Sequence, residues 1–97
     1  MNNFLWLEHW FHGTCDGLWE HGHAITITTL DNPGWSFRVD LKGTPFDQAP
    51  NAILKQMHSS DRDWMTCRTI DGVFEGFGGP LMLGPIVQEF RNWIQTY

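Results

Sequence analysis

Basic residues are scarce in this chain: six Lys and Arg stand against eleven Asp and Glu, a formal net charge of −5. That deficit argues against nucleic acid as a direct partner, because phosphate binding needs clustered Lys and Arg. It suits a basic protein partner, since opposite net charge raises the encounter rate. Long apolar runs are missing too. No stretch approaches the roughly 18 uninterrupted apolar residues of a membrane span, so no membrane partner is expected. The segment Met1 to His12 lacks a basic start and carries Glu8, which argues against a signal peptide. Cysteine is limited to Cys15 and Cys67, which do not make a disulfide framework. Repeats, low-complexity tracts and linkers are absent. The reading is a cytoplasmic protein with two reduced thiols, its residues 1–97 forming one domain.

Aromatic residues, by contrast, are plentiful, with six Trp and seven Phe. Each must belong to the core or to a surface that meets something. The clearest structural signal runs from Ala24 to Leu41. Trp35, Phe37, Val39 and Leu41 alternate with Ser36, Arg38, Asp40 and Lys42, the period-2 pattern of a half-buried strand. Asp31-Asn32-Pro33-Gly34 reads as a type II turn, with Gly34 supplying a positive φ. Pairing Thr29 with Trp35 sets Ile27 beside Phe37 and Ile25 beside Val39, on one buried face. A one-residue slip would set both isoleucines on the face of Arg38 and Asp40.

Residues 4–12 read as a short helix, with Asn3 as N-cap and Gly13 as its stop. Phe4, Leu7 and Phe11 form one stripe, and Trp6 and Trp10 the next, so burial over more than half the circumference is expected. Residues 43–51 form a loop, Ala52 to His58 a weakly alternating third strand, and Ser59 to Asp63 a polar break. Trp64 to Ile70 and Val73 to Phe77 flank Asp71-Gly72, a type I′ hairpin signal that opposes Arg68 to Glu75. Ile86, Val87, Phe90, Trp93 and Ile94 follow helical spacing, with Pro85 in the first turn. The fold class is α+β: about five antiparallel strands between an N-terminal and a C-terminal helix, both helices packed on one face.

Chemistry-bearing residues are present without a strong motif. His9, His12, Cys15, His21 and His23 include ligand types that suit zinc, but the paired spacings of zinc sites are missing. Cys67 reads as a small buried residue sharing a face with Met65 and Phe74, and Cys15 sits beside Asp16, whose charge raises its pKa. Neither reads as a nucleophile. No carboxylate pair declares itself for catalysis. Two acidic-aromatic clusters remain, Trp19 with Glu20 and Asp61, Asp63 with Trp64, where aromatic anchors within a polar rim suit a protein interface.

Several motifs together carry a family likeness over nearly the whole chain. They are Trp10, Cys15-Asp16-Gly17, Trp19-Glu20-His21, Thr29 to Trp35, Asp40-Leu41, Asp63-Trp64, Cys67, Asp71-Gly72, Phe74-Glu75-Gly76 and Gly78-Gly79-Pro80. In these the chain resembles the immunity protein 53 family of bacterial polymorphic-toxin systems. It departs from the family pattern in the loop at 44–51 and at Gly84-Pro85. The resemblance implies a small cytosolic protein that binds a toxin secreted by kin bacteria, such toxins often being nucleases. The expectation is therefore a non-enzymatic immunity protein without cofactor, catalytic residue or metal, which occludes the toxin through Trp19, Glu20, Asp61, Asp63 and Trp64. The alternative is a small metal- or ligand-binding enzyme built on His9, His12, Cys15 and His21.

Overall fold

The computed structural model describes residues 1–97. Their order is α1 (Asn3–Thr14), a 3-10 turn (Trp19–His21), β1 (Ile25–Leu30), β2 (Gly34–Asp40), β3 (Ala52–His58), β4 (Trp64–Ile70), β5 (Val73–Gly78) and α2 (Leu83–Thr96). The five strands form one antiparallel sheet in the order β1-β2-β5-β4-β3. This is the expected α+β architecture.

Both hairpin registers follow the side-chain alternation. Thr29 pairs with Trp35, Ile27 with Phe37 and Ile25 with Val39. Arg68 pairs with Glu75 around Asp71 (φ 50°) and Gly72 (φ 76°), the two left-handed residues of a type I′ turn. The first turn differs from expectation. Its ladder extends to Leu30 and Gly34, so Asp31 to Pro33 make the turn and Gly34 has no positive φ. Glycine is needed there for space, since a Cβ would run into the carbonyl oxygen of Gly78 on β5. In β3 an irregularity between Ile53 and Lys55 shifts the register, which accounts for its weak alternation.

One face of the sheet holds the core. Phe37 and Val39 of β2, Phe74 of β5 and Cys67 of β4 are fully buried there, as are Ile86 and Phe90 of α2. Ile27 shares that face but stays exposed, because β1 is an edge strand. α2 lies close because β5 is bare where it crosses: a Cβ at Gly76 would run into Ile86. Phe90 is the hub, with ring centroids 4.9 Å from Phe74, 5.0 Å from Trp10, 5.6 Å from Phe37 and 5.8 Å from Trp6. Those contacts hold α1 on the same side of the sheet.

The burial expected of α1 is not observed. The helix rests on α2, and none of its residues is buried. Trp6, Leu7 and Trp10 pack against the core, whereas Phe4 is 74% exposed, Leu5 also faces solvent, and Phe11 is only partly covered, its ring 5.6 Å from that of Trp19. A helix supported along one narrow stripe can cover one stripe only, and the i, i+4 pair Trp6 and Trp10 takes it. The caps shift as well. Asn2 accepts from the Leu5 amide through Oδ1 at 2.9 Å, and the helix runs through Gly13 to end at Cys15.

Candidate partner-binding site

The polar break before β4 is a tightly tied loop. The amides of Ser59 and Ser60 donate to the carbonyl of Asp63 at 2.7 and 3.3 Å. The amides of Arg62 and Asp63 donate in turn to Ser60 Oγ at 3.3 and 3.1 Å. Gly79 then fastens the loop to the sheet. Its amide donates to the carbonyl of Trp64 at 3.1 Å, and a Cβ at Gly79 would run into the carbonyl of Arg62. Nearby, Trp35 Nε1 donates to the carbonyl of Pro80 at 3.0 Å and fixes the turn into α2.

Between this loop and the first hairpin turn lies a cleft of about 520 Å3, lined by Asn32, Pro33, His58, Asp61, Arg62 and Trp64. The structure thus brings Asp61 and Trp64 together, with Asp63 exposed on the same loop and Trp64 half-buried. A fixed, mixed-charge hollow beside an aromatic ring is a surface that can receive a partner's side chain.

Trp19 and Glu20 lie elsewhere, and the fold itself uses both. Trp19 is only 8% exposed, and its Nε1 donates to the carbonyl of Asp40 at 2.8 Å. That is the far end of β2, about 17 Å of strand from the cleft. Glu20 is turned onto its own loop, where its two oxygens accept from the amides of Asp16 (2.9 Å) and Gly17 (2.8 Å). Asp16 Oδ1 reciprocates by accepting from Leu18 and Trp19, both at 2.9 Å. An indole already packed in the core has little surface to offer a partner, and the structure gives Trp19 a structural role rather than that of an anchor.

These bonds favour the charged carboxylates. The Trp19 and Leu18 amides hold Asp16 below its ordinary value of 3.8. Glu20 is held below 4.5 by its own amide first and then by that of Asp16. With folded pKa values depressed, the loop's support is complete above those ordinary values and is lost as pH falls through the lower folded ones. Acidification below about pH 4 should therefore loosen residues 15–20 and alter the fluorescence of Trp19. The double variant Asp16→Asn, Glu20→Gln should lack that step. An identical acid profile in both proteins would refute the assignment.

The histidine and cysteine set is not assembled. His9 and His12 share one shallow hollow with Glu8, His23 lines another beside Arg38, and no three potential ligands come within reach of one ion. Cys15 donates its Sγ hydrogen to the carbonyl of Phe11 at 3.2 Å, and burial followed by the Glu20 charge raises its pKa. Burial pushes the Cys67 thiol up to about 12. Both thiols are poor nucleophiles at neutral pH.

One constellation lay beyond the sequence reading. Glu75 is clasped from both sides, by Arg38 on β2 and Arg68 on β4, on the face away from the helices. The Arg68–Glu75 pair is visible in the hairpin register. Arg38 joins it only because β2 lies beside β5, an adjacency of strands distant in sequence.

The fold is a small α+β domain, with one face of the sheet closed by helices and the other open. The chain belongs to the immunity protein 53 family, whose family model matches residues 4–95. No curated protein and no solved structure matches it. Membership supports an immunity function and points to inhibition without catalysis. No helix is long and apolar enough to cross a membrane.

Proposed function

We propose that this chain is a cytoplasmic immunity protein that binds a cognate bacterial toxin domain and occludes its active site or substrate path. Membership of the immunity protein 53 family is the observation that carries this reading. The contact surface is the loop from Ser59 to Trp64 with its cleft. Asp61 and Asp63 meet basic groups that otherwise hold the toxin's substrate, as those of a nuclease would, and Trp64 fills a pocket. The backbone ties of the loop support this role, because a contact already held in place loses little freedom on binding. Nanomolar inhibition needs about 12 kcal/mol, within reach of a standard-size interface with an aromatic anchor and complementary charge.

Binding kinetics with the C-terminal domain of a secreted protein encoded by the neighbouring open reading frame, the candidate toxin, test the proposal. Reversing Asp61 and Asp63 to Lys should slow association and flatten its salt dependence, with dissociation little changed. Trp64→Ala should instead speed dissociation about 30-fold, the equivalent of about 2 kcal/mol. Thermal melts must accompany both variants, since Trp64 is half-buried. A folded double-Lys variant that associates and protects cells at the unaltered level would place the interface elsewhere.

A further inference from the structure

The face of the sheet opposite the helices is uncovered, and its centre is ordered by charge. Arg38, Glu75 and Arg68 stand directly opposite one another on β2, β5 and β4. The Glu75 side chain is 7% exposed, and its two oxygens are divided between the arginines. Arg68 approaches Oε1 through Nε and Nη2, each at 2.9 Å, while Arg38 reaches Oε2 through Nη1 at 2.8 Å. Burying a carboxylate is unfavourable unless it is paired and hydrogen-bonded, and here both arginines pair with it. The arginines themselves remain open, at 51% and 43% exposure. Arg38 engages Glu75 through Nη1 alone, which leaves its Nε and Nη2 donors free.

The surroundings suit an incoming acidic group. A hollow beside Arg38 is shared with His23, Lys42 and Asp40, and a second beside Arg68 is edged by Ile53 and Ile70. Asp40 Oδ1 is already engaged by the Lys42 amide at 3.0 Å. Among the residues that form the ion pair and line the two hollows, Arg38, Arg68 and Lys42 stand against Glu75 and Asp40, a concentration of basic groups on a chain of net charge −5. Half-buried Phe77 and Thr66 pair just beside the charged row and supply flat, contactable surface.

The geometry points to this face as a second docking surface, on which Arg38 and Arg68 receive a carboxylate of the toxin protein. The assignment rests on the toxin-binding reading above and extends it. A guanidinium fork pre-oriented by Glu75 presents its remaining donors in one plane, the geometry that pairs with a carboxylate. The acidic loop at the cleft and the arginine pair at the sheet centre then require a partner with both basic and acidic groups in one footprint.

The test again uses the candidate toxin domain from the neighbouring open reading frame. Arg38→Ala leaves Arg68 on Oε1 but strips Oε2 of its partner, so the melting temperature should fall by about 4–16 °C while the domain stays folded at about 25 °C, where affinity is read. Its affinity for the toxin should fall at least tenfold, and Arg38→Lys should recover part of the loss. A double-mutant cycle against Asp→Asn and Glu→Gln variants of the toxin should find one carboxylate whose removal has no added effect once Arg38 is gone. Full affinity in a folded Arg38→Ala variant, with Asp61 and Asp63 still sensitive, overturns this inference and leaves the toxin reading standing. Absence of binding by the unaltered chain overturns both. Retention of a single-stranded oligonucleotide on this face, lost in Arg38→Ala, would overturn the assignment to a protein carboxylate.

Discussion

Replacing Phe90 by alanine should lower the unfolding free energy by about 4 kcal/mol, the upper range for truncating a buried aromatic. The ring is fully buried and touches aromatic partners from α1, β2, β5 and its own helix. No single neighbour can move to fill the space without releasing another. With total stability of about 5–15 kcal/mol expected at this size, the variant should melt some 15–30 °C lower. Phe4→Ala is the control. At 74% exposure it should change stability by no more than about 0.5 kcal/mol. Thermal and urea melts of the two variants decide the matter. Equal losses from both would mean that α1 is buried in solution as its composition suggests, and the packing described here would be wrong.

Phe4 and Phe90 also show where sequence reading succeeds and where it stops. Strand alternation carries its own register: Ile25, Ile27, Phe37 and Val39 must share a face, and the structure pairs them so. The Asp71-Gly72 turn is a local property of two residues, and it too was legible. Burial is not local. The helical period of α1 says which residues share a stripe, not how wide a surface is available to cover them. Gly34 illustrates the same limit. As a turn residue it suggested positive φ, yet its demand comes from the Gly78 carbonyl on a strand far along the chain. For the candidate site, the cluster around Trp64 was legible as a polar break beside an aromatic. Its cleft was not, because Asn32 and Pro33 reach it only through the packing of β2 against β5 and β5 against β4. Arg38 joins Glu75 by the same long-range adjacency. Trp19 shows the same limit, because an indole beside a carboxylate looks alike in sequence whether the ring turns out or, as here, packs into the core.

Gly79→Ala should be nearly as damaging as the loss of Phe90, although it adds a single methyl group. The added Cβ would meet the carbonyl of Arg62, a backbone atom, so no side-chain rotation can relieve the clash. Two responses remain. Either β5 and the turn into α2 shift, straining the Trp35 bond to Pro80, or the loop from Ser59 to Asp63 lifts away from the sheet. The loop is the softer element, because its residues are exposed and its ties are a handful of hydrogen bonds. Overpacking at a constrained site costs about 3 kcal/mol, which corresponds to a melting point about 12–24 °C lower. Hydrogen exchange locates the damage. The amides of Ser59, Ser60 and Gly79, protected through the carbonyls of Asp63 and Trp64, should exchange faster, while those in the middle of β2 stay comparatively slow. On the toxin-binding proposal, affinity for the toxin should fall in the same variant, since lifting the loop displaces Asp61 and Asp63. A variant with normal melting and normal exchange would show that the backbone accommodates the methyl, and the fixed geometry assigned to the cleft would have to be abandoned.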